Sequence, residues 1–134
     1  MMNDMLKKIA IEVKGYLFGE KASRVLSGEE AKIELRYKEL VIGVLTLNQG
    51  AWRFEYSEAF KSQSELPPLI DFPNKDKVYE SQTLFPFFMS RIPSLKQPKV
   101  QAMIEAEHID ATSELALLTR FGEKSIANPF VLSS

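Results

Sequence analysis

The single histidine of this 134-residue chain, His108, stands in Glu105-Ala106-Glu107-His108-Ile109-Asp110. Acid–base or metal chemistry would have to start there. Glu105 and His108 are three apart, so a helix puts both on one face, the half-motif of carboxylate di-iron sites. Such a site needs a second copy of the motif and two further glutamates on other helices, and no second histidine exists. The residue types fit a solvated helix end, with His108 beside the C-terminal dipole. The chain has no cysteine, which removes disulfides, thiolate metal sites and Cys nucleophiles. No phosphate-loop, zinc-protease or Ser-x-x-Lys motif occurs, and the six glycines are scattered. Base, nucleophile and oxyanion stabiliser are therefore never offered together, and the expectation is a chain with no enzymatic activity, cofactor or metal. The competing catalytic reading is a small enzyme built on Glu105, His108 and Asp110.

Binding chemistry has a better candidate in "TLFPFFMSRIPSLKQP", Thr83 to Pro98. Phe85, Phe87 and Phe88 have the character of core anchors, and the residues after them have the character of a loop held by prolines. Prolines at 93 and 98 lower the entropy such a loop loses on docking, and they frame Arg91, Lys96 and Lys99. A solvated loop would carry the same residues. The functional reading is a preorganised basic loop aimed at an acidic or phosphate-bearing surface, with Arg91, Ile92, Pro93, Ser94, Leu95, Lys96 and Lys99 as the partner-binding set. Lys plus Arg number 17 against 18 Asp plus Glu, a net charge of −1, so nothing draws the whole chain to nucleic acid or anionic lipid. The expected partner is a protein. Trp52 suggests ligand stacking, but its alternation with Phe54 and Tyr56 is the pattern of a packed strand.

The elements that must position these residues follow from periodicity. Leu6, Ile9, Ala10, Val13 and Leu17 recur at helical spacing between an Asn3 or Asp4 cap and Gly19, which predicts an amphipathic first helix. Charges at Lys7, Lys8, Glu12 and Lys14 interrupt that segment, so neither a signal peptide nor a membrane span is expected, and the reading is cytoplasmic. "AKIELRY", "LVIGVLTL" and "AWRFEYS" read as three strands of an antiparallel meander, with "NQG" a hairpin that needs Gly50 at positive φ. Pro67, Pro68 and Pro73 break the next stretch, so any strand there is short and at an edge. "PKVQAMIEAE" predicts a helix with Pro98 at its first position. "DATSELALLTRFG" predicts another, capped by Asp110 and ended by Gly122, its Leu115, Leu118 and Phe121 packing on Val100, Met103 and Ile104. Phe130, Val131 and Leu132 could add a last strand. The fold class is α+β, a small antiparallel β-sheet with packed helices.

Residues 31 to 130 carry a resemblance. Ile42-Gly43-Val44-Leu45 followed by a turn and Phe54-Glu55-Tyr56 is similar to the opening meander of the HipA N-terminal domain, and "LFPFFMSRIP" resembles that family's Leu-Phe-Pro-Phe-Phe run and its Ile/Leu-Pro loop. "IDATSELALLTRFGEKSIANPF" falls where the family has a turn, a Leu/Ala-rich helix and a Gly-led strand. The resemblance divides the chain into residues 1–30, an N-terminal amphipathic helix and connecting segment, and residues 31–134, a HipA N-terminal-like domain. With no kinase catalytic Asp, metal-binding Asp or phosphate loop after it, the chain resembles a free-standing form of the domain, similar to the HipS antitoxin of tripartite HipBST-type toxin–antitoxin systems. The resemblance implies an antitoxin that binds and inhibits a HipA- or HipT-like serine/threonine kinase, with a HipB-like helix-turn-helix DNA-binding protein in a larger complex. The alternative is an accessory subunit that completes or activates a split kinase. Two departures stand out. Pro93 is followed by Ser94, Leu95 and Lys96 where free-standing relatives can have Glu-Gly-Trp, and the family's Gly-Arg-Asp-x-x-Gly-Ala ending is here Gly122 to Asn128.

Overall fold

Strict alternation in Lys32-Ile33-Glu34-Leu35-Arg36 makes a strand with one apolar and one charged face, and Trp52-Arg53-Phe54-Glu55-Tyr56 repeats the pattern. In the computed structural model, which describes residues 28–134, β1 (Ala31–Tyr37), β2 (Leu40–Asn48) and β3 (Ala51–Tyr56) form the expected meander. The expected first helix lies outside the described residues. After the meander come α1 (Glu58–Lys61), β4 (Tyr79–Ser81), α2 (Pro86–Met89), α3 (Pro98–Ala106), α4 (Glu114–Phe121) and β5 (Val131–Ser133). The sheet runs β4-β3-β2-β1-β5 with every pairing antiparallel. The edge strand after the prolines and the last strand are thus both present.

Asn48 pairs with Ala51, leaving a two-residue loop in which Gln49 and Gly50 have φ of 52° and 79°. Two positive φ values match the right-handed twist of the flanking strands, and Gly50 meets that demand without strain. The register breaks once. Leu35 faces Gly43 while Arg36 faces Val41, so Ile42 is an extra residue on β2. Ser57 closes this bulge: its amide donates to the Ile42 carbonyl at 3.0 Å and its hydroxyl donates to the Val41 carbonyl. The same hydroxyl accepts from the Phe60 amide and so caps α1. Gly43 has no room for a side chain, since a Cβ would lie 2.6 Å from Cζ of Phe54 and 2.7 Å from the Glu55 carbonyl oxygen.

The apolar face buries Ile33, Leu35, Leu45, Leu47, Trp52, Phe54 and Tyr56. Phe54 stacks on Phe72 at 4.4 Å between centroids and tilts against Phe88 at 5.8 Å, while Tyr56 stacks on Phe60 at 4.6 Å. Each large side chain so covered contributes roughly 1.5–3 kcal/mol relative to exposure. On the opposite face Arg36 pairs with Glu34 and Arg53 with Glu80, partly exposed pairs worth about 1 kcal/mol or less each.

The described residues fall into two compact units. One holds the sheet and comprises 28–91 with 122–134; the other is the helical segment 92–121. In the helical unit Pro98 opens α3 as expected. Asp110 does not cap α4. Its carboxylate instead accepts from the amide and hydroxyl of Thr112, a closed local turn, and Ser113 takes over, accepting from the Ala116 amide at 3.0 Å. The buried side of this helix is formed by Glu114, Leu117 and Leu118, with Leu115 and Phe121 half-buried. Glu107, just past α3, takes a forked pair of hydrogen bonds from Arg120 of α4 at 2.6 and 2.9 Å, which holds its carboxyl below the usual range. No helix among the described residues is long and apolar enough to cross a membrane.

Candidate interaction surface

His108 occupies a backbone role. Its φ is 55°, the left-handed residue that ends α3; its amide donates to the Glu105 carbonyl, and the next amide, of Ile109, donates to the Ile104 carbonyl. These are the paired bonds of a Schellman motif, with histidine where glycine is usual. Among the described residues no group of three or more His, Asp or Glu side chains is placed to hold a metal ion.

The basic loop divides into an anchor and a displayed part. Arg91, expected on display, is only 5% exposed. Its Nε donates to the Gly122 carbonyl at 2.6 Å, Nη1 to Asn128 Oδ1 at 3.2 Å, and Nη2 to the carbonyls of Glu123 and Phe130 at 3.0 and 2.6 Å. The reason is geometric. Arg91 follows the last turn of α2, its amide bonded to the Phe88 carbonyl, and the planar fork reaches a stretch of chain that lies outside the sheet's ladders. Burial lowers the pKa of the guanidinium. Arg91 thus ties the 122–130 segment down beside β5, and it presents no charge to a partner.

Display begins beyond it. Ser94, Lys96 and Lys99 are exposed, while Ile92, Pro93 and Leu95 are half-buried. Ser94 shapes the loop through its hydroxyl, which accepts from the Lys96 amide at 3.2 Å, and its carbonyl, which accepts from the Gln97 amide at 3.3 Å. Pro98 then starts α3, so Lys96 and Lys99 flank a helix start with fixed geometry on both sides.

A second surface lies where the sequence reading placed only an irregular stretch. Between α1 and β4 the strap Leu66–Phe72 is pinned at both ends. Gln63 accepts from the Leu66 amide at 2.8 Å and donates to the Leu66 carbonyl at 3.0 Å. Tyr56 accepts from the Leu69 amide at 2.8 Å and donates to the Phe72 carbonyl at 2.6 Å, and burial of the phenol pushes its pKa up to about 12. Leu66, Pro67 and Pro68 form a rib between two open cavities. One, of about 370 Å³, is lined by Ile42, Leu69, Ile70, Phe87, Phe130 and Asp71 beside the rib and Phe60. The other, of about 490 Å³, is lined by Gln63, Pro73, Asn74 and Lys75 beside the same rib and Phe60. The sequence signal was present in "ELPPLIDFP", where prolines surround aliphatic residues with nothing charged between Glu65 and Asp71.

The bulge with Gly43, the aromatic strand ending at Tyr56, the Phe-Phe turn and α4 occur in one order along residues 33–126, and over that span the sequence matches the HipA N-terminal domain family. The chain belongs to the HipA N-terminal domain family. Its match covers most of the sheet unit and all of the helical segment 92–121, and ends before Asn128 and Phe130, two of the residues that Arg91 holds. No curated protein matches the chain.

Proposed function

We propose that this HipA-family domain is a non-catalytic, antitoxin-like protein that binds and inhibits a HipA- or HipT-like serine/threonine kinase in the cytoplasm. The observation that carries the reading is family membership, joined to a loop whose backbone is shaped by Ser94 and Pro98 and which exposes Lys96 and Lys99. A kinase cleft that binds Mg-ATP is lined by acidic metal-binding groups, and Lys96 and Lys99 are the cations offered to it, with Ile92, Pro93 and Leu95 as apolar support. Arg91 enters this reading as the anchor at the head of the loop. A HipB-like DNA-binding protein belongs to the larger assembly, and this chain itself binds neither nucleic acid nor membrane.

The test is phosphorylation by a purified HipA-type kinase with and without this chain. Inhibition at stoichiometric ratio is expected, with no ATP hydrolysis by the chain alone. Enhanced phosphorylation would instead mark an activating subunit. Lys96→Glu with Lys99→Glu should weaken association by roughly 1.4 kcal/mol, a tenfold change, or more where the pairs are buried. The exposed pair Lys38→Glu with Lys124→Glu is the charge-matched control, and equal losses from both pairs would reduce the loop to a contribution of net charge.

A further inference from the structure

Ile70 is 94% exposed at the tip of the turn closed by the Phe72 amide on the Leu69 carbonyl. Turn tips favour Gly, Asn, Asp and Pro, and here an aliphatic side chain stands at one and lines an open cavity together with Leu69 and Phe87. Beside it the rib Leu66–Pro68 lines two cavities, one carrying an acidic and the other a basic side chain. Asp71 marks the first. Lys75 marks the second, half-buried, its ammonium reaching the Lys61 carbonyl at 3.4 Å and no carboxylate among the described residues. Binding sites for small molecules gather polar groups around one enclosed centre. Here the acidic and basic groups line different cavities that share the rib Leu66–Pro68, a division that suits a peptide segment crossing the rib.

We propose that this groove is a second docking site for the kinase. It takes a segment that places one apolar side chain on each side of the Pro67–Pro68 rib, a carboxylate at Lys75 and a basic group at Asp71. The inference rests on the reading of this chain as a kinase-binding protein. Pinning by Gln63 and Tyr56 means that little loop entropy is lost on docking, so the groove binds as a preformed surface. Lys75 exchanges a long contact with a neutral carbonyl for a carboxylate, and Ile70 is covered against the segment's apolar side chain.

The experiment is calorimetric titration of purified HipA-type kinase with the full chain and four variants: Ile70→Asp, Ile70→Leu, Lys75→Glu and, as control, Lys32→Glu on the polar sheet face. Ile70→Asp should weaken binding about tenfold or more and Ile70→Leu by less than about threefold. Lys75→Glu should weaken it about tenfold and flatten its salt dependence, with Lys32→Glu near the unaltered value. Because Ile70 is exposed, thermal unfolding should be unchanged in both Ile70 variants. Should Ile70→Asp unfold the chain, loss of solvent accessibility at the Ile70 methyl groups on adding kinase to the unaltered protein decides the matter. Unaltered affinity in Ile70→Asp and Lys75→Glu overturns the site while leaving the kinase reading intact. Failure of the unaltered chain to bind the kinase overturns both.

Discussion

At the scale of single residues, the guanidinium of Arg91 exchanges its water shell for four neutral oxygens on residues 122, 123, 128 and 130. It remains charged, because a guanidinium is not deprotonated in proteins, and removing it leaves four buried or part-buried acceptors without their donor at once. Arg91→Ala should destabilise the chain by about 2–3 kcal/mol, and Arg91→Lys by about 1–2 kcal/mol, because a single ammonium cannot reach a fork of acceptors. Urea unfolding measures both, and a loss below about 1 kcal/mol for Arg91→Ala would contradict the anchor. From sequence this role was hidden. Between an aromatic run and Pro93 an arginine looks solvated, and its partners are mostly backbone carbonyls, which leave no mark in residue identity. Gly43 left a signal that went unused, since a glycine inside a strand is a mark of a bulge or a close approach of backbone.

Elements were more legible than the residues that end them. Period-two alternation marked the first and third meander strands, β-branched content marked the second, and Pro98 marked the start of α3, because these signals are local. Helix ends depended on competition between neighbours. Asp110 and Ser113 are both good caps, and Asp110 was taken up by Thr112, so the helix began three residues later. At the other boundary His108 sits at φ 55° in the Schellman turn, a conformation that costs a non-glycine residue about 1 kcal/mol or more. His108→Gly should therefore stabilise the chain by roughly 0.5–1 kcal/mol, and Ser113→Ala should destabilise it by about 1 kcal/mol. Thermal unfolding of the two variants should move in opposite directions. A His108→Gly variant less stable than its parent would mean that the imidazole itself makes a contact that outweighs the backbone strain.

On the scale of the whole sheet unit, stability comes from aromatic residues far apart in sequence that meet over one face: Phe54 and Tyr56 from β3, Phe60, Phe72 and Phe88 from the segments that follow. Sequence indicated that β3 would present an aromatic face, but not that the strap 66–72 would be bonded to Tyr56, since a phenol's partners are again main-chain groups. That buried phenol links the fold to pH. An unfolded tyrosine ionises near 10 and Tyr56 at about 12, so below pH 10 both states keep the proton and stability does not vary with pH through this group. Between pH 10 and 12 the unfolded chain loses the proton while the folded chain keeps it. The folded state should therefore lose roughly 2–3 kcal/mol across that window, because the unfolded chain gains about 1.4 kcal/mol for each pH unit in which it alone is ionised. Lysines titrate in the same range, so the informative quantity is the difference between the parent and Tyr56→Phe. The variant should be about 1–3 kcal/mol less stable at neutral pH, because the Leu69 amide and Phe72 carbonyl lose their partner. It should then close the gap as the pH rises, the two unfolding midpoints converging between pH 10 and 12. Parallel curves over that window would show that the phenol ionises without unpinning the strap, and the link between Tyr56 and the groove beside Ile70 would fall with it.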